Sequence, residues 1–140
     1  MMTTTATVEL LAALGTHLAD FELPALASVH ITIGMAGPQV TVQLACHHDA
    51  PVIAASLLAW ADTLTQTSAE AWRVPRGDSV HLSVTGRLPC RTDVLIYGAV
   101  PVTESRLGAD LTPGARARLP LAALRSLATP GQVTEEVTLR

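Results

Sequence analysis

The sequence predicts an α+β fold: a two-layer sandwich in which helices pack on a four-stranded, mainly antiparallel sheet. Two observations support this prediction. Apolar and polar residues alternate in three short runs, which is typical of strands with one buried face. Around these runs, apolar residues recur at helical spacing. The predicted order is α-ββ-α-ββ-(α), in a single domain of residues 1–128 followed by a flexible tail of residues 129–140.

A helix and a hairpin are predicted for the first 45 residues. Residues 7–21 form the helix, because their apolar side chains follow helical spacing. Residues 28–35 and 39–45 form two strands, since apolar and polar side chains alternate in both, and Gly37-Pro38 is a turn signal between them. The apolar residues that define the helix are Val8, Leu11, Leu14 and Leu18.

A second helix is predicted to begin after Asp49. A short carboxylate can accept a hydrogen bond from a first-turn N–H, and Pro51 fits the first turn because its missing N–H costs little there. The apolar pattern extends this helix to Leu64. The polar stretch that follows, residues 65–77, is predicted to be irregular.

A second pair of strands is predicted at residues 79–85 and 93–100, joined by a loop at 86–92. A third helix is predicted at residues 113–128, but a glycine and a proline interrupt its pattern. It is therefore written in parentheses in the predicted order.

The alternation also predicts which side chains form the core. The strand residues expected to be buried are Val29, Ile31, Val40, Val42, Leu82 and Val84. The helix residues expected to pack on them are Leu11, Leu14, Leu58 and either Trp60 or Ala59.

Composition excludes several classes of protein. The chain of 140 residues is 49% hydrophobic and 15% charged, which excludes a disordered segment. Two cysteines are too few for a disulfide-rich scaffold. The N-terminus has no positively charged region typical of a signal peptide, and the apolar stretch 51–61 is too short to span a bilayer. We therefore expect a cytoplasmic protein that does not enter the membrane, with reduced thiols.

The second hairpin carries a sequence pattern that resembles a known group of proteins. Residues 86–97 follow G-x-L-P-x-x-T-x-V-x-x-Y, with Gly86, Pro89, Thr92 and Tyr97 among the matching positions. The pattern resembles a hairpin of small actinobacterial proteins that are often linked to mobile elements. The resemblance covers about residues 7–100 and implies an α+β fold, but no activity is assigned to that family.

The run Cys46-His47-His48-Asp49 contains residue types that bind zinc. Structural zinc sites, however, use spaced pairs of ligands, and no second cluster completes four ligands here. We interpret the run as a strand end, two loop histidines and a helix cap, and we expect neither a metal nor a cofactor.

Enzymatic activity is one of two alternative functions that the sequence leaves open. Cys90 lies close to Arg87 and Arg91, which can stabilise a thiolate. A site would have to be assembled from His30, His81 and a hairpin cysteine, and no positional motif supports one. We expect a protein without enzymatic activity.

Nucleic-acid binding is the remaining alternative. The first 72 residues contain six acidic residues and neither Lys nor Arg, whereas the last 68 contain nine Arg and six acidic residues. The arginines could contact phosphates. A sequence pI of 5.9 and only four Phe, Tyr and Trp residues disfavour a basic or base-stacking surface.

The leading prediction concerns the polar face of the sheet. It consists of uncharged side chains, whereas solvent-exposed sheets usually include charged ones. We therefore expect this face to be covered by another element or by a second subunit, in a homodimeric, non-enzymatic interaction module. The residues predicted to form this surface are His30, Thr32, Thr41, Gln43, His81 and Ser83.

Overall fold

The computed structural model describes residues 4–35, 37–46 and 48–129. They form three α-helices and a six-stranded mixed sheet, which confirms the α+β class. The helices are α1 (Thr4–Asp20), α2 (Ala50–Ala61) and α3 (Leu121–Ala128). The strands are β1 (Leu26–Gly34), β2 (Gly37–Leu44), β3 (Thr65–Arg73), β4 (Ser79–Arg87), β5 (Asp93–Pro101) and β6 (Arg116–Leu119). A 3-10 turn, Val102–Glu104, follows β5.

The strand order is β1-β2-β5-β4-β3-β6. Both predicted hairpins are confirmed, because β1 pairs with β2 and β4 pairs with β5 in antiparallel fashion. The prediction of four strands is wrong, since β3 and β6 extend the sheet beyond β4. The two hairpins are joined by a parallel pairing of β2 with β5, in which Val40 lies beside Val94.

The two strands that sequence reasoning missed lack an apolar β-branched pattern. Residues 65–77, predicted to be irregular, contain β3, whose buried positions are Ala69 and Ala71. Residues 113–128, predicted as an interrupted helix, contain β6 and α3, and Pro120 separates them. The predicted tail lies outside the described residues except for Thr129.

One face of the sheet carries the core and is called the helix face; it bears Val40, Val42, Leu82, Val84 and Ile96, all completely buried. Burial of Val40, Val42, Leu82 and Val84 confirms the strand register. Val29 and Ile31, also expected in the core, are only half-buried. Among the described residues, their strand, β1, is at the edge of the sheet and has a neighbour on one side only.

On α1, the core prediction is confirmed for Leu14 and wrong for Leu11. Leu10, Leu14 and His17 are buried, whereas Leu11 is 50% exposed. Leucines occur on several sides of this helix, so spacing alone did not identify the packed side. On α2, the prediction for Trp60 is confirmed, because its side chain is completely buried.

The start of α2 confirms the predicted cap. The Asp49 Oδ1 atom accepts a hydrogen bond of 3.3 Å from the Val52 N–H. The helix then crosses β5 where a glycine leaves room for it: a Cβ atom on Gly98 would lie 2.9 Å from Ile53 Cγ2. This close approach fixes α2 against the helix face.

Candidate functional site: the open face of the sheet

The second face of the sheet, called the open face, carries the side chains that alternate with the core residues. The described helices contact the helix face instead: α2 packs on β4, β5 and α3, and His17 of α1 stacks on Trp60 of α2. The segment 102–115 lies on the helix face as well, because Gly108 approaches Val80 and Ala71. Within residues 4–35, 37–46 and 48–129, these contacts leave the open face uncovered.

All six residues predicted from the sequence lie on the open face, in two groups. His30 pairs with Thr41, and Gln43 pairs with Ser28, on the neighbouring strands β1 and β2. His81 and Ser83 lie on β4. Strand β5 separates the groups, so Leu95, Tyr97 and Ala99 fill the gap between them.

An aromatic row crosses the open face from β5 to β6. The rings of Tyr97 and His81 are nearly parallel, with centroids 5.2 Å apart. His81 meets Trp72 edge to face at 5.1 Å, and the Arg116 guanidinium lies 4.9 Å from the centre of the Trp72 ring. Such pairs add about 0.5–1.5 kcal/mol each beyond their buried area. The row therefore connects β5, β4, β3 and β6 through side-chain contacts on the open face.

Sequence reasoning did not include Trp72 or Arg116 in the surface, because both lie on the strands that it missed. The signal available was Trp72 itself, a large β-favouring residue inside a stretch with few other apolar side chains. Once β3 is paired with β4, Trp72 must lie opposite His81.

Burial lowers the pKa of the His81 imidazole below its ordinary value of 6.5, because desolvation penalises the charged form. The rings of Trp72 and Tyr97 on either side remove water from it. The imidazole is therefore neutral at pH 7, and the centre of the open face carries no charge there.

Hydroxyl and amide groups on the open face bind one another across the strands. Ser28 Oγ donates to Gln43 Oε1 at 3.2 Å. The hydroxyls of Ser68 and Thr85 lie 2.7 Å apart. Covering these two pairs would leave their hydroxyl and amide oxygen atoms with a hydrogen-bond partner.

The expectation of an uncharged face is wrong at its margins. Arg116 lies 3.6 Å from the Glu70 carboxylate, beside a groove of about 220 Å³ that Arg118 also lines. At another margin, Arg87 Nε lies 3.0 Å from Asp93 Oδ1. These exposed pairs stabilise the fold by at most about 1 kcal/mol each. The Arg87 and Asp93 charges compensate each other, whereas the margin with Glu70, Arg116 and Arg118 keeps one positive charge.

The run around Cys46 has structural roles in the fold. Cys46 Sγ lies 3.8 Å from the Ser56 hydroxyl of α2, and Asp49 caps the same helix. His47 lies outside the described residues. Among the residues that the structure does describe, no group of three or more His, Cys, Asp or Glu side chains is placed to hold a metal ion.

The residues of the enzyme alternative do not come together. His30 lies on β1 and His81 on β4, with β2 and β5 between them. Cys90, a free thiol, lines a cavity of about 420 Å³ beside α1, together with His17 and Asp20. This cavity is next to the packed side of α1 and away from the open face.

The imidazole of His17, which sequence reasoning did not select, carries a proton on Nε2. Thr63 Oγ1 donates its proton to the Trp60 carbonyl at 2.8 Å. The contact of 2.9 Å between Thr63 Oγ1 and His17 Nε2 therefore requires the imidazole to donate. Desolvation lowers the pKa of His17, and Asp20 partly opposes this shift, so the ring serves as a neutral core group.

Several arginines of the second half are used inside the fold. The Arg73 guanidinium donates to the carbonyls of Gly77, Ala109 and Leu111 at 2.8–3.1 Å. These hydrogen bonds connect the segment after the 3-10 turn to the end of β3. Arg87 and Arg116 are in the ion pairs at the margins. These contacts reduce the number of arginines that can form a single phosphate-binding surface.

None of the described helices is both long and apolar enough to cross a membrane. Comparisons with known proteins found no matching family model, no similar curated protein and no similar solved structure.

Proposed function

We propose that the protein is a non-enzymatic interaction module in which two chains associate through the open faces of their sheets. The observation that carries the proposal is the composition of this surface: an aromatic row beside mostly uncharged side chains, two pairs of which are hydrogen-bonded across the strands. Uncharged groups lose less on desolvation than ions do, so this surface can be covered at a smaller cost than a charged one.

The size of the face suits a stable interface. Six strands spaced about 4.8 Å apart span about 24 Å, and nine-residue strands are about 30 Å long. Because β6 has only four residues, the area is roughly 600 Å², which is of the same order as the roughly 800 Å² per partner of a standard protein interface.

The charges also favour a second copy over a nucleic acid. The neutral centre, with Tyr97 and His81, offers no positive charge to a phosphate backbone. The ring of Trp72 is covered by Arg116, so one of its faces is not available for stacking on a base. Glu70 lies beside Ser83 and forms an ion pair with Arg116 within each chain, so its charge is already partly compensated where a second copy covers it.

Sedimentation velocity tests the proposal directly. Ser83 lies near the middle of the face, so Ser83→Arg places one charge from each chain close to the axis. We expect this variant to halve the mass of the assembly. The matched control is Ala122→Arg on the exposed side of α3, which should leave the mass unchanged.

Circular dichroism must show that both variants are folded. If folded Ser83→Arg has the mass of the wild type, the open face is not the interface. A wild-type mass that instead rises only on addition of single-stranded DNA at low salt would favour the nucleic-acid alternative.

A further inference from the structure

The two edges of the sheet differ in how they are protected. Strand β6 has four residues, carries Arg116 and Arg118, and is followed by Pro120. Strand β1 has nine residues, Leu26–Gly34, with no proline and no Lys, Arg, Asp or Glu. Short length, charge and proline are the usual means by which an edge strand avoids pairing with another chain. Strand β1 has none of these, and its one irregularity is at its start, at Leu26/Ser28, which leaves Val29–Gly34 regular.

The register of the first hairpin shows which backbone groups of β1 are available. Ile33 is opposite Pro38, which has no N–H, so this pair cannot exchange two hydrogen bonds. In an antiparallel ladder, hydrogen-bonded and non-hydrogen-bonded pairs alternate. Val29, Ile31 and Ile33 therefore direct their N–H and C=O groups away from β2, whereas His30 and Thr32 bond to it.

We propose that β1 pairs antiparallel with β1 of a second copy, with Ile31 opposite Ile31 of that copy. The regular part of the strand lies between the irregularity at Leu26/Ser28 and the end of β1 at Gly34. Its midpoint is Ile31. A twofold axis through a hydrogen-bonded pair requires the central residue to direct its backbone outward, and Ile31 does so.

The side chains fit this register. Val29 lies opposite Ile33 of the second copy on the helix face, so Ile33, now 54% exposed, gains an apolar neighbour. On the open face, His30 lies opposite Thr32 of the second copy. No Lys, Arg, Asp or Glu lies along the junction, so identical strands meet without like-charge repulsion.

This interface goes beyond the proposed function, because it uses the edge of the sheet and not its open face. Its twofold axis is perpendicular to the sheet, whereas the axis of a face-to-face pair is parallel to the sheet. The two axes together are compatible with a closed tetramer.

Amide hydrogen exchange on the full chain, measured at high and low protein concentration, tests the edge pairing. The amides of Val29, Ile31 and Ile33 should be protected at high concentration and exchange rapidly on dilution. The amides of His30 and Thr32 are controls in the same strand, because their partner is β2 at every concentration. Rapid exchange of the first three amides at all concentrations would overturn the proposal.

Sedimentation of Ile33→Lys separates this interface from the open face. The Ile33 side chain is exposed, so its replacement removes little packing from the core. Lysine is a residue with which natural edge strands avoid pairing with other chains. Edge pairing predicts that Ile33→Lys halves the wild-type mass whether or not Ser83→Arg has an effect. A mass that is insensitive to Ile33→Lys contradicts edge pairing, and a mass insensitive to Ser83→Arg alone contradicts only the proposed function.

Discussion

The two faces of the sheet are made by the same strands and differ in nearly every physical property. Along β4, Val80, Leu82 and Val84 are completely buried under the helices. The residues between them, such as His81 and Ser83, are half-buried although no described element covers them. The helix face depends on packed volume, whereas the open face depends on rings and hydrogen bonds between neighbouring strands. This difference indicates that the helix face contributes most of the packing in the fold, and it supports the proposal that the open face is a surface for association.

The largest contrast should come from truncating neighbouring residues of β4. Leu82→Ala leaves a cavity in the core and should lower the free energy of unfolding by about 2–5 kcal/mol. Ser83→Ala removes only a long hydrogen bond of 3.5 Å to the Glu70 carbonyl and should change it by about 0.5 kcal/mol or less. Urea denaturation at a protein concentration that dissociates the assembly compares the two. Equal losses would mean that the two faces do not differ as described.

A second contrast comes from β5. Gly98→Ala places a methyl group 2.9 Å from Ile53 and should cost about 1–3 kcal/mol through overpacking. Ala99→Ser, on the open face, should stay within about 0.5 kcal/mol of the wild type. Thermal unfolding measures both. A neutral Gly98→Ala would show that α2 can shift away from the sheet.

Acidification should distinguish a histidine on each side of the sheet. Desolvation lowers the pKa values of His17 and His81 in the folded chain. Below about pH 6.5, the unfolded chain therefore binds more protons than the folded chain does. Stability should therefore fall as pH decreases from 6.5 through the lowered pKa values, with no contribution from either ring above that range. His81→Phe keeps a stacked ring and should reduce this loss.

The part due to His81 should also depend on protein concentration, because covering the open face desolvates it further. Acidification from pH 7.5 to 5 should accordingly weaken the assembly of the wild type more than that of His81→Phe. Parallel pH profiles for the two proteins, in stability and in sedimentation, would contradict this role of His81.

A chelator should have the smallest effect. Cys46 and Asp49 already contact Ser56 and the first turn of α2. We expect the melting temperature to be unchanged by EDTA. A lower melting temperature in EDTA, absent in a Cys46→Ser variant, would show that the run binds a metal.

Local patterns in the sequence were sufficient to predict both hairpins and the cap of α2. In strands where Val, Ile and Leu alternate with polar residues, the alternation itself shows which side chains are buried. Asp49 caps a helix that begins at the next residue, so its role depends only on neighbouring residues. The pairing of β2 with β5 could not be predicted in this way, because periodicity contains no information about which distant strands are neighbours. Strand β3 was missed because its core side is filled by Ala69 and Ala71, which leave space for other groups and give no β signal.

The candidate site was predicted only in part, because local alternation identifies the face of a strand but not its neighbours in the sheet. Alternation placed His30, Thr41 and Ser83 on one face, but it could not show that Tyr97 lies between them. Trp72 and Arg116 join the surface only through the pairing of β3 with β4 and β6. The aromatic row is therefore a property of the strand order.

The exposure of Trp72 in solution tests the central claim most directly. Trp60 is completely buried, so acrylamide quenching of tryptophan fluorescence reports mainly on Trp72. At high protein concentration, the wild type should be quenched less than Ser83→Arg, and on dilution its quenching should rise to the level of that variant. Equal quenching of the two proteins at every concentration would show that no second chain covers the open face.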